Sequence, residues 1–441
     1  MNQQRHGRGD GLGATAGFLN TDWNPRDLPL GATTRNVVLR TADGAATSGA
    51  LYAAGASDTV VCIMHPREFM ACHYLIPDVV GAGYAAWTQA PRAVGNDMRL
   101  EHELALFDVA AAMRFLRDAG FRRIVLLGNS GGSGLYALYV QQSGLAPEAR
   151  IERTPGGRPT RLAALDMPVV DGVVFVAPHP GQGALLQSCI DPSVTDEHDA
   201  LSVDPTLDPF DGANGYVARR ADADADASVP STPLSTSPST RYAPDFVERY
   251  RAAQTARVAR LDAMARDLIA ARQAARERLR RDGANAAAHV RRMAAHTPLM
   301  TVWRTDADLR CFDLSLDPSD RRFGSLWGSD PFASNYGSVG FGRVCSPEAW
   351  LSTWSGLSSN ALLSKTASAI VQPTLLIEYT GDQACFPSVI ADIHASLGAS
   401  HKTHRRVRGD HHGRALAPGE EAGRYVAGRL LQDWLRETFP Q

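Results

Sequence analysis

The sequence predicts an α/β protein: a mostly parallel central sheet flanked by helices, interrupted by a large, mainly helical insertion. Three observations carry that expectation. Short apolar runs alternate with helix-periodic stretches over residues 34–185. The alternation breaks over 186–364 and resumes over 365–441. Within the first block, an apolar run ends in Gly128-Asn129-Ser130-Gly131-Gly132 and a helix-compatible stretch follows at once.

Taken in order, residues 1–33 begin Gly-rich and polar and read as an N-terminal extension. Residues 36–41, 47–52 and 59–64 are strand-like runs separated by turns bearing Gly and Asp, and 83–88 is a fourth. Residues 100–119 carry apolar side chains at helical spacing (Leu104, Phe107, Ala112, Phe115, Leu116) and stop at Gly120. The strand leading to Ser130 follows, then a helix, then a strand over 171–176. The insertion, 186–364, reads as a cap. It holds an Ala-Asp repeat and a Ser/Thr/Pro cluster over about 219–241, too polar to order itself. Pro244 then opens a long helix reaching about Arg281, whose apolar stripe includes Val247, Tyr250, Val258, Leu261 and Leu268 and whose other face is Arg-rich and solvated. After the cap come a strand over 373–379, a short helix over 392–397, a strand over 402–408 and an amphipathic helix over 423–438.

Composition narrows the function classes. The 441 residues are 44% hydrophobic and 21% charged, with a formal net charge of −2. That balance gives no electrostatic case for nucleic acid or a membrane surface. The N-terminus lacks the apolar core of a secretory signal, and no run approaches a membrane span, so a cytoplasmic protein is expected. Six cysteines are scattered without Cys-x-x-Cys spacing and read as free thiols.

The chemistry centres on Ser130. A serine on a tight strand-to-helix turn stands clear of the backbone, and Gly128 and Gly132 remove the Cβ atoms that would collide there. A phosphate-cradling loop would need Gly-Lys-Ser/Thr, and no Lys is near. A serine hydroxyl needs a base, itself held by a third group. Candidates stand at two later strand ends: Asp382 in Thr380-Gly381-Asp382-Gln383, and His411 in Gly409-Asp410-His411-His412. Glu378 and Asp410 are fallback acids. His394, His401, His404, His411 and His412 lack the paired spacing of a zinc site, and His102-Glu103-Leu104-Ala105-Leu106 falls short of a zincin motif. Arg92, Asn96 and Asp97, the His179-Pro180-Gly181 turn, and Ser352, Trp354 and Ser355 of the insertion are further pocket candidates.

This constellation resembles the α/β-hydrolase superfamily over residues 34–185 and 365–441. The resemblance implies that Ser130 attacks a carbonyl, Asp382 is the acid and His411 the base; members with the histidine three after the glycine would select His412 instead. Asp382 lies five residues before Pro387, one more than in many members. The oxyanion hole needs two N–H donors. Gly131 is the first. The turn His65-Pro66-Arg67 is similar to the superfamily's His-Gly turn, but Pro66 has no N–H, so Arg67 is expected as the second. His65 itself reads as a turn histidine bonded to nearby backbone. The expected activity is hydrolysis of a small-molecule ester or thioester through an acyl-enzyme, with no cofactor; self-association stays open. Carbon–carbon hydrolysis, acyl transfer and a non-catalytic binding module share these residues.

Overall fold

The computed structural model describes residues 26–92, 97–218, 239–337 and 340–441. Most of the expected N-terminal extension and most of the expected loop 219–241 lie outside the described residues, as does Asn96.

Eight strands form one sheet: β1 (Thr33–Arg40), β2 (Ala46–Ala53), β3 (Thr59–Met64), β4 (Ala85–Gln89), β5 (Arg123–Asn129), β6 (Gly172–Val176), β9 (Thr374–Tyr379) and β10 (Lys402–Val407). Their order is β1-β2-β4-β3-β5-β6-β9-β10. β2 runs antiparallel to both β1 and β4, and every other pairing is parallel. β7 (Met300–Thr301) and β8 (Val344–Cys345) make a separate small ribbon.

Successive side chains of a strand face opposite sides, so a parallel sheet covered on both faces reads as continuous apolar sequence. β3 shows this directly. Val60, Cys62 and Met64 join one core with Leu106 and Met113 of α2 (His102–Asp118) and Leu135 and Tyr139 of α3 (Gly132–Gly144). Val61 and Ile63 join the other, with Val79 of α1 (Ile76–Gly81) and Leu431 and Trp434 of the C-terminal helix Gly423–Thr438. Each aliphatic side chain taken wholly from water there contributes roughly 1.5–3 kcal/mol. This is the α/β-hydrolase fold that the resemblance implies.

Between β6 and β9 the chain passes through α4 (Gln182–Cys189), α5 (Pro244–Asp282), α6 (Ala288–Ala295) and a wide helical turn at Trp350–Trp354. α5 starts at Pro244, whose missing N–H costs nothing in a first turn, and stops at Gly283 with φ of 51°. Its Val258 and Leu261 share one apolar cluster with Trp350, Trp354 and Leu135, so the insertion packs directly onto the sheet domain. The Arg-rich face is not wholly solvated. Arg257 is buried and pairs with Glu197 at 2.8 Å, while Arg249 and Arg266 are exposed. No helix among the described residues is long and apolar enough to cross a membrane.

Candidate active site

β5 delivers the chain into a turn that ordinary side chains avoid. Ser130 has φ of 53°, a left-handed conformation costing of order 1–3 kcal/mol, held by contacts on both sides. Its N–H donates to Val176 O at 3.1 Å, and its carbonyl accepts the N–H groups of Ser133 and His179, each at 3.2 Å. A Cβ on Gly132 would strike Met64 O, and one on Gly128 would sit 2.7 Å from Ser133 Cα. Gly132→Ala is therefore expected to lower stability by about 1–3 kcal/mol, read as a shift of the denaturant midpoint. An unchanged midpoint would show that the elbow is looser than this packing implies.

Two loops at the carboxyl edge of the sheet bring Asp382 and His411 together, tied to each other by the Gly381 N–H donating to Gly409 O at 2.8 Å. Asp382 Oδ1 accepts the backbone N–H groups of Ala384 (2.7 Å) and Cys385 (2.9 Å). Asp382 Oδ2 lies 2.8 Å from His411 Nδ1, and His411 Nε2 lies 3.0 Å from Ser130 Oγ. Burial alone would lower the His411 pKa. The Asp382 carboxylate, helped by Asp410 and Glu68, outweighs it and raises the value above 6.5. His412, held by its N–H to Asp410 Oδ1, sits edge-on to His411 at 5.1 Å and makes no bond to Ser130.

The fallback acids are engaged elsewhere. Glu378 pairs with His404 and Arg406, and Asp410 accepts the N–H groups of His412 and Arg414 within its own turn. Arg92 bridges Asp43 and Asp108. Ser352 is bound to Glu103 and to the His102 N–H at the head of α2, and Ser355 accepts the N–H groups of Leu357 and Ser358. Trp354 reaches the neighbourhood of the site, with the Arg67 guanidinium 5.3 Å from its ring centre.

Arg67 departs from the expectation. Its backbone N–H donates to His65 Nδ1 at 3.2 Å rather than standing free for an oxyanion. Its buried guanidinium pairs with Asp97 at 2.6 Å. His65 does bond nearby backbone, and burial pulls its pKa down to about 3, so the ring is neutral.

A second histidine also meets Ser130. His179 Nε2 lies 3.0 Å from Ser130 Oγ, and its ring stacks on His411 at 5.3 Å. Ala177, two residues earlier, has φ of 45°, a kink that directs the chain after β6 toward the elbow. Burial, then the neighbouring His411, hold His179 well below 6.5, so it is neutral. Position at a strand end was the one signal for His179 in the sequence. Gln182, three residues later at the start of α4, carried none; its carboxamide lies beside the His179 ring without reaching hydrogen-bond geometry.

Among the described residues, His179, Cys385 and His411 bring potential metal-ligating atoms within 4.8 Å of one another. Those groups are already committed. Both His411 nitrogens face Asp382 and Ser130, and the Cys385 thiol donates to Ala177 O at 3.3 Å, kept protonated by burial and by Asp382.

No family model matches the chain, and no curated protein matches it. Solved structures similar to it over most of its length include DcsB in complex with a substrate analogue (12% identity, 93% of this chain and 100% of that one, TM-score 0.44). The esterase domain of a Rhodothermus marinus protein is 11% identical, over 92% of this chain and 98% of that one, with a TM-score of 0.39. The haloalkane dehalogenase DatA from Agrobacterium tumefaciens is 11% identical, over 92% and 97%, with a TM-score of 0.40. Likeness at this level assigns neither reaction nor substrate.

Proposed function

We propose that the protein is a serine hydrolase that cleaves a carboxylic ester or thioester through Ser130, His411 and Asp382. The observation that carries this is the unbroken hydrogen-bonded line from Asp382 Oδ2 to His411 Nδ1 and from His411 Nε2 to Ser130 Oγ. Asp382 accepts a hydrogen bond from the Nδ1–H, which keeps that proton on Nδ1 and leaves the Nε2 lone pair facing the serine. Ser130 Oγ then has one proton to give, to His411. The contact with His179 must run the other way, with the neutral His179 donating its Nε2–H to Oγ. That donor favours negative charge on the oxygen as it gives up its proton.

In the reaction Ser130 Oγ bonds to the acyl carbon while its proton passes to His411. Collapse expels the alcohol or thiol, which takes that proton, and water then releases the acid by the same route. Residues 186–364 act as a cap, and Phe341 from that segment already sits edge-on to His179 at 6.3 Å. Such cover excludes water and sets substrate shape.

The reading is tested by mapping the adduct of a reactive fluorophosphonate on folded and heat-unfolded protein, followed by an ester and thioester screen. A single adduct on Ser130, confined to folded protein, with turnover of at least one ester, supports it. Neither adduct nor turnover overturns it.

A pH profile follows from His411. Catalysis needs the neutral ring, so kcat/KM should fall as pH drops through a value above 6.5, the usual imidazole pKa. Stability moves the other way. A pKa raised on folding makes the pairing's contribution complete below 6.5 and lost as pH rises through the raised value. An acid limb centred below 6.5 would contradict the assignment.

A further inference from the structure

The oxyanion site needs a second donor that Arg67 does not supply, and two side chains already face the right place. The Gln182 carboxamide is buried beside the His179 ring, and neither its nitrogen nor its oxygen completes a hydrogen bond of good geometry among the described residues. A buried amide in that state costs stability, and it persists where a ligand completes it. Backbone fixes its position. Gly181, with φ of 120°, packs so closely under Leu362 that a Cβ would lie 3.0 Å from the Leu362 Cα, and α4 starts at the next residue. From there the amide nitrogen reaches the elbow: a Cβ placed on Gly131 would collide with Gln182 Nε2 and would sit 2.8 Å from His65 Nε2.

His65 is a donor on that same side. Its Nδ1 accepts the Arg67 N–H, and its ring is neutral, so the remaining proton is on Nε2. Two side-chain N–H groups, one just past the end of β3 and one from the first residue of α4, therefore converge on the residue at the head of α3.

We propose that the Gln182 Nε2–H, with the His65 Nε2–H beside it, joins the Gly131 N–H as the second donor to the oxyanion. The inference rests on the serine-hydrolase reading. As Ser130 Oγ bonds to the acyl carbon, the carbonyl π pair moves onto oxygen and the serine proton goes to His411. The alkoxide so formed is held by Gly131 and Gln182 until the C=O bond re-forms and the leaving group departs with the proton from His411. The donors are absent from the usual place, the backbone after Pro66, because that N–H sets the His65 tautomer instead.

The test is the rate of Ser130 phosphonylation by a fluorophosphonate, followed by intact mass on the full chain, with a melting temperature for each protein. Parent, Gln182→Met and Gln182→Glu are compared at pH 8. Both variants keep the side chain's length and remove the donor, and they should label roughly 100-fold more slowly. Gln182→Met should melt at or above the parent, since it removes an unpartnered amide without leaving a void. Slow labelling in a variant that melts with the parent supports the proposal. Parent-rate labelling in either folded variant overturns it and leaves the serine-hydrolase reading standing. Slow labelling confined to variants that melt below the parent assigns Gln182 to packing and overturns it too. A parent that neither labels nor turns over an ester overturns the earlier reading, and this one with it.

Discussion

Replacing Ser130 with alanine is expected to lower kcat on an activated ester by about 10⁶-fold, and adding His411→Ala to that chain to cost almost nothing more. In the proposed mechanism Ser130 and His411 act as one unit, because the proton that leaves Oγ has a single acceptor aligned by a carboxylate, His411 Nε2, 3.0 Å away. The measurement is kcat for the parent, both single variants and the double variant, with single-turnover acylation to separate chemistry from product release. The site adds a sharper condition. His179 is also 3.0 Å from Oγ, yet among the described residues no carboxylate partners its ring, and it is held neutral. If His411→Ala kept a tenth of parent activity, His179 would be serving as the base and the assignment of roles would be wrong. Additive losses in the double variant would show that the two side chains act in separate steps.

The parts of this site that were legible in the sequence are those set by local rules. β3 reads as buried because every residue from Thr59 to Met64 is buried between two cores, and the C-terminal helix runs from Gly423 to Thr438 as its periodicity predicts. The elbow is legible for the same reason, since Gly128 and Gly132 answer steric demands within a few residues. Strand ends are less so. β1 reaches back to Thr33 because antiparallel pairing with β2 extends to Ala53, a long-range fact. The donors beside Gly131 are the clearest case. A sequence shows that Pro66 lacks an N–H, but not that the Arg67 N–H turns to His65 Nδ1, nor that Gln182 from the far side of β6 arrives at the same point. Those placements depend on how β3, β5 and β6 sit side by side, and on the Ala177 and Gly181 turns between β6 and α4. The short helices of the insertion share that difficulty, because tertiary packing and not intrinsic propensity decides them.

Asp382→Asn should lower kcat by about 10⁴-fold while leaving the fold intact, and the reason lies in which oxygen does what. Oδ1 accepts two backbone N–H groups, from Ala384 and Cys385, at 2.7 and 2.9 Å. An asparagine in this pocket must keep its carbonyl oxygen there, because turning the amide round would set its NH2 against two donors. The NH2 group then occupies the place of Oδ2 and faces His411 Nδ1, 2.8 Å away in the parent. His411 can satisfy that donor only by presenting the Nδ1 lone pair, which moves its proton to Nε2. Nε2–H then points at Ser130 Oγ and cannot take the serine's proton. The variant is thus locked in the unproductive tautomer by the backbone of residues 384 and 385, and its melting temperature should stay near the parent's. Two observations check this together: kcat on an activated ester, and the His411 ring-nitrogen chemical shifts, which report the tautomer. Retention of more than a tenth of parent activity, or a proton still on Nδ1, would show that Asp382 is not the group that orients the base. The control is Asp410→Asn. Asp410 accepts the backbone N–H groups of its own turn, from His412 and Arg414, and pairs with the Arg414 guanidinium, so its replacement should leave the His411 tautomer unchanged.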